Sequence, residues 1–381
     1  MKEELKEIRD IQRLNIPATR LWEKTKDIPS DAGGLKKRWF WELLQNASDC
    51  SENVNVILDI YQDKVVFKHD GGTFRPIDTE NLVAPDSGKD NSEFKKSIGQ
   101  FGTGFISTHV LSSKITIEGI MKSQKEANTY SSFKFTLDRK NFNDKIKLKN
   151  QIIESSLELS NSLKDCNDFQ DFSSKFIYDL EETLPNIDSN DILKSGLNYV
   201  NEILPYTLTF LPNIISVDIV NHDNNNLGFQ RKKYCKIEDE GIIIKITGDD
   251  YLEKKFIKIK EDDVEIVAEV KDKSVIKYPS YIPKIFCGLP MIGTEEFPFP
   301  CVINSTSFVP TTEREGIKYS NSDTTNRQLL KKAVTAYEKL LSYLAKKEYN
   351  QVYNLCKLKE SNLFYGWYNP EITSNLKEII L

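Results

Sequence analysis

Ser97-Ile98-Gly99-Gln100-Phe101-Gly102-Thr103-Gly104-Phe105 sets three glycines at short intervals ahead of an apolar run, Phe105-Ile106 and Val110-Leu111. Such a loop leaves backbone N–H groups uncovered at the start of a helix. Bare amides and the helix dipole both favour negative charge, so the segment is suited to phosphate oxygens. Glycine is needed where a Cβ would block the approach. Taken alone, a glycine-rich loop is as often an ordinary tight turn.

Upstream, Trp39-Phe40-Trp41-Glu42-Leu43-Leu44-Gln45-Asn46-Ala47-Ser48-Asp49 has the apolar spacing of a helix. Glu42 and Asn46 are four apart, and Asn46 and Asp49 three apart, so all three project from one face. Asn46 offers a neutral carbonyl oxygen to Mg²⁺, a cation that keeps several waters and takes few protein ligands. Glu42 can orient and deprotonate an attacking water. Asp49 lies on the same face, placed to contact a sugar or to shape the pocket through water. An isolated pair of this kind is more often a solvated stripe on an amphipathic helix.

Between these segments, Val65-Val66-Phe67-Lys68 reads as a strand running into His69-Asp70-Gly71-Gly72-Thr73-Phe74. Leu82 to Lys96 follows, polar and containing Pro85 and Gly88, with the character of an active-site lid. Within it Ser87 and Lys89 have side chains suited to phosphate. A mobile solvated loop would look the same.

In order and spacing the three segments resemble the GHKL ATPase superfamily of gyrase-type topoisomerases, the large heat-shock chaperone, histidine kinases and MutL proteins. Glu42 to Asp49 looks like the N-box of the chaperone branch, and Ile98 to Ser107 like its glycine-rich box. The resemblance implies ATP and Mg²⁺ as ligands, with Gly99, Gln100, Phe101, Gly102, Thr103, Gly104 and Phe105 wrapping the triphosphate. The family's third box is D-x-G-x-G, whose Asp accepts from the adenine amino group. With Gly71 on the first family glycine, His69 stands in the Asp position and Thr73 replaces the second glycine. Either His69 contacts the base, or a shift of one residue brings Asp70 to it. The variant is similar to the sacsin-like branch. The family also places a hydroxyl residue at the start of the closing strand, which Ser131 or Ser132 would supply. It takes a cation from its second domain, for which Arg314 is the candidate; a solvated surface arginine is the alternative.

The fold expected is α+β. Residues 1–145 would form a Bergerat-type α/β sandwich, a mixed sheet with helices on one face. Residues 146–204 read as a helical connector or insertion. A second α/β domain over 205–345, of the ribosomal-S5-like type by resemblance, starts with a strand near 206–220. Residues 346–381 read as a helical tail. The chain of 381 residues carries a net charge of −5, giving no general attraction to nucleic acid or anionic membranes. No apolar signal region opens it, six cysteines lack metal spacing, and a cytoplasmic ATPase is expected. Its ATP energy would drive a conformational change or homodimerisation, or act on a protein partner, in a chaperone-like role or in stress or antiviral defence. The alternative is a slow nucleotide sensor that signals to a partner.

Overall fold

The computed structural model describes residues 14–84, 104–166, 172–223, 227, 229–239, 243–248, 253–311, 315–319, 324–358 and 366–381. The chain is mixed α+β and divides into two compact units. The first comprises 1–201 and 213–233, the second 202–212 and 234–381.

In the first unit, helices α1 (Asn15–Thr25), α2 (Ala32–Leu35) and α3 (Trp39–Cys50) precede strands β1 (Val54–Ile60) and β2 (Lys64–His69). Helices α4 (Pro76–Val83) and α5 (Gly104–Ser107) come next, then β3 (Lys114–Lys122), β4 (Tyr130–Asp138), α6 (Lys145–Ser162), β5 (Lys164–Asp165) and β6 (Ser174–Asp179). Helix α7 (Ser189–Phe210) begins in this unit, its residues from 202 on being counted with the second, and β7 (Ile214–Asn221) follows in the first. The strand order is β7-β1-β2-β6-β3-β4-β5. Among the described strands β1 and β7 pair in parallel and the other neighbours antiparallel, so the sheet is mixed.

Strand alternation produces one apolar face. Val54, Val56 and Leu58 of β1, Val65 and Phe67 of β2, and Phe133, Phe135 and Leu137 of β4 are all buried. Helix α3 covers this face with Trp39, Phe40, Leu43, Leu44 and Ala47, and Phe40 meets Phe67 edge to face at 6.1 Å. Ser51 ends α3 in extended backbone, and Asn53, at φ 61°, turns the chain into β1. Helix α6 starts at Asp144, whose carboxylate accepts from the amides of Ile146 and Lys147, and it packs on β4.

The second unit is built on antiparallel strands β8 (Arg231–Asp239), β9 (Ile243–Gly248), β10 (Lys254–Glu261) and β11 (Val264–Lys271), with helix α8 (Thr324–Lys346) packed on the last two. The C-terminal stretch, with helix α9 (Ser374–Ile380), buries Trp367, Tyr368, Ile372 and Leu376.

Two segments depart from the sequence expectation. Residues 146–204, expected as a helical connector or insertion, are helical in α6 and most of α7, but between these helices β6 lies between β2 and β3 and is integral to the first sheet. Its Phe176 and Tyr178 are buried while Lys175, Ile177 and Asp179 are half-buried, a period of two. Residues 206–210 continue α7 instead of opening a strand, and β7 joins β1 in the first unit. Tyr206, Thr207, Leu208, Thr209 and Phe210 are all buried, so the apolar pattern names no single face. Thr207 and Thr209 donate their hydroxyls to the carbonyls of Ile203 and Tyr206, which lets them sit inside a helix. Among the described residues no helix is long and apolar enough to cross a membrane.

Gly119 of β3 gives the Phe74 ring its place. A Cβ there would lie 2.8 Å from Phe74 and 2.9 Å from Phe133. Gly119→Ala is therefore expected to destabilise the first unit by about 1–3 kcal/mol, the usual cost of overpacking. Urea denaturation checks this, and an unchanged midpoint would show that the rings yield freely.

Candidate functional site

Helix α3 holds two of the three motifs in place. Near its start, Glu42 lies against Gly104, the first residue of α5. A Cβ on Gly104 would overlap Oε2 of Glu42 and come 2.7 Å from its Cδ. Only a bare Cα allows the carboxylate and the α5 backbone to come this close. At the other end of α3, a Cβ on Gly72 would stand 3.2 Å from the Cys50 carbonyl, and the Gly72 amide donates to Ser51 Oγ at 3.3 Å. Asn46 is half-buried between these two contacts, and Asp49 is exposed.

The turn after β2 is closed by a residue the sequence reading missed. The Ser173 hydroxyl lies among the carbonyls of His69, Gly71 and Gly72, bonding most closely to Gly71. The next residue, Ser174, faces His69 across the β2–β6 ladder. Ser131, the expected hydroxyl, is half-buried on β4 and pairs with Met121 and Asp165. Strands β6 and β3 separate it from β2, so it does not reach His69. The run Phe176-Ile177-Tyr178, β-branched and aromatic, was the available signal for β6, obscured by the helical spacing of Phe172, Phe176 and Leu180.

Strand alternation also separates His69 from Asp70. His69 turns inward and is 1% exposed. Its ring stacks on Phe176 at 6.4 Å and meets the edge of Phe67 at 6.3 Å. Nδ1 faces the Gly71 backbone and makes no hydrogen bond of normal geometry. Asp70 is exposed. Its carboxylate accepts from the Asn55 backbone amide at 2.6 Å and side-chain amide at 2.8 Å. The one-residue shift that would bring Asp70 to the buried side is not present.

Phe176 ties the boxes together. Phe105, from the glycine-rich box, lies 5.4 Å from it; Phe74, from the turn after β2, lies 6.4 Å away. Further along, Thr108 accepts from the Tyr178 hydroxyl at 3.0 Å. The fully buried Arg139 donates to the Val83 carbonyl at 3.1 Å, at the end of α4, and its charge disfavours protonation of His109, which follows α5. Arg139 thereby links the chain on either side of residues 85–103.

Ser87, Lys89, Gly99, Gln100, Phe101, Gly102, Thr103 and Arg314 lie outside the described residues, as does most of the expected lid. Among the described residues no group of three His, Cys, Asp or Glu side chains gathers to hold a metal. Two cavities of about 600 and 650 Å³ lie elsewhere in the first unit, one beside Tyr61 and Leu180, the other beside Ser132 and Lys164.

Both buried imidazoles are held neutral. Burial lowers His69 to about 4, and burial with the Arg139 charge lowers His109 to about 3. His109 Nδ1 donates to the Ser112 carbonyl at 3.0 Å. The unfolded chain therefore takes up these protons first, near the ordinary histidine value of about 6.5. Stability is complete above that pH and falls as pH drops toward the folded values. Between pH 7 and pH 5 the pair should cost on the order of 4 kcal/mol. Urea midpoints at the two pH values should differ less in a His69→Gln/His109→Gln protein; equal differences would contradict the assignment. No protein-family model matches the chain, and no curated protein matches it.

Proposed function

We propose that the first unit is a nucleotide-binding fold of the GHKL type, with a Bergerat-type sheet, that binds Mg-ATP and hydrolyses it. The observation that carries this reading is the contact of Glu42 with the bare Cα of Gly104. It joins two motifs more than sixty residues apart, an acid–amide helix and a glycine-rich box, at one point. The Gly72 contact at the other end of α3 supports it, since it brings the β2 turn to the same helix.

In this reading ATP lies along the exposed side of α3. The base sits toward His69 and Gly71, the phosphates toward Gly104 and Phe105. Glu42 takes a proton from the attacking water as the water oxygen bonds to the γ-phosphorus. The bond between that phosphorus and the bridging oxygen breaks, releasing ADP and phosphate. The donor set suits Mg²⁺: the Asn46 side-chain carbonyl is a hard, neutral oxygen one helical turn from Glu42. Bound there, the cation would neutralise phosphate charge. Asp49, exposed on the same side, would act through water.

By the same resemblance the second unit, antiparallel strands with α8 against them, would be of the ribosomal-S5-like type, and Arg314 is the candidate cation. The output would be a conformational or dimerisation change, or an action on a protein partner. A chaperone-like or defence role rests on fold-level analogy.

Glu42→Ala should leave Mg-ATP binding in calorimetry and lower turnover by roughly a hundred- to ten-thousand-fold. Wild-type turnover in that protein would remove Glu42 as the base. Asn46→Ala should weaken binding of Mg-ATP while leaving binding of metal-free ATP almost unchanged. Equal affinity of wild type and variant for Mg-ATP would contradict the metal assignment.

A further inference from the structure

Arg139 directly follows β4 and is 1% exposed. Its guanidinium donates to two main-chain carbonyls, that of Val83 at 3.1 Å and that of Asp138 at 3.3 Å. Its Nε is buried with no hydrogen bond. Among the described residues it makes no ion pair. The carboxylate that acts on it, Asp138, is engaged elsewhere: Oδ1 accepts from the Lys140 amide at 2.8 Å and from Gln151 Nε2 at 3.3 Å. Burial outweighs that attraction and lowers the guanidinium to about 10, which leaves it charged at neutral pH.

A buried cation bonded only to carbonyls is costly. Such a charge is ordinarily paired, and an uncharged side chain of similar size packs as well or better. Val83 is the last residue of α4, so its carbonyl stands at the negative end of that helix and offers only part of a counter-charge. The rest of the positive charge is unbalanced within the first unit.

This charge lies close behind α5. It acts on the His109 ring, and that ring meets the edge of Phe105 at 6.3 Å. Phe105 adjoins Gly104, against which Glu42 lies. His109 is held neutral and bonds the Ser112 carbonyl, so Arg139 is the charged member of the pair. Between buried, uncharged side chains the field of a cation is little weakened by water.

We infer that Arg139 is a positioning residue for the polyphosphate: its buried charge draws the anionic end of the nucleotide to the start of α5 without touching it. The inference rests on the nucleotide-binding reading above and adds the group that balances the phosphate charge from within the fold. A guanidinium that merely tied the end of α4 to the end of β4 would affect every ligand alike. A field acts on ligands in proportion to their charge, about −2 for Mg-ATP, about −1 for Mg-ADP and none for adenosine.

The test is calorimetric titration of the full chain with these three ligands, on wild type, Arg139→Gln, Arg139→Met and Arg139→Lys. The two neutral variants should each lose roughly a hundredfold in affinity for Mg-ATP, roughly tenfold for Mg-ADP and less than about twofold for adenosine. Arg139→Lys keeps the charge and should stay within about threefold of wild type for all three. Equal losses for the three ligands overturn the inference and leave the ATP reading intact. So does a neutral variant with a wild-type circular dichroism spectrum and unchanged Mg-ATP affinity, or an Arg139→Lys protein as weak as Arg139→Gln. Failure of both neutral variants to fold would show that the fold itself needs the charge, and overturns the inference as well. A wild-type chain that binds none of the three at millimolar concentration overturns the ATP reading and the inference with it.

Discussion

Gly104 has no side chain because the Glu42 carboxylate occupies the space one would fill. That single close approach sets the position of α5 relative to α3. Helix α3 is in turn fixed to the sheet by a continuous apolar side, with Trp39, Phe40, Leu43 and Leu44 all fully buried. Moving α5 outward by the width of a methyl group would separate the glycine-rich box from the acid–amide helix. In a packed interior such a shift is resisted by every neighbour at once.

A second constraint holds the other motif in register. Phe176 lies in the middle of the sheet and meets His69, Phe74 and Phe105, which come from two different boxes. Ser173, three residues before it, gathers the carbonyls of the turn. One short strand therefore aligns the turn after β2 with the start of α5 through both apolar and polar contacts. The aromatic contacts supply area, and their stacked and tilted geometries add specificity. The hydroxyl removes the cost of leaving backbone carbonyls buried without a donor.

Much of this arrangement was legible in the sequence. The helical spacing of Trp39 to Asp49 was strong, because its apolar residues recur on one side and Glu42 and Asn46 on the other. Strands β1 and β2 were marked by β-branched residues in alternation. The contribution of β6 was not legible. It is six residues long, and its pairing with β2 spans about a hundred residues of chain, which no local pattern encodes. The end of α7 was misread because Tyr206 to Phe210 is buried on all sides, and an element without a polar side shows no period. The choice between His69 and Asp70 needed the register of the strand, since one residue decides which side chain faces the core.

The central claim is that the turn after β2 and the start of α5 are two parts of one nucleotide site. Hydrogen exchange of the backbone amides in the presence and absence of Mg-ATP tests it most directly. Binding should slow exchange at residues 71–74 and at residues 104–108 together, while the strands of the second unit exchange as before. Unchanged exchange at both segments under saturating Mg-ATP, or protection confined to the second unit, would contradict the account.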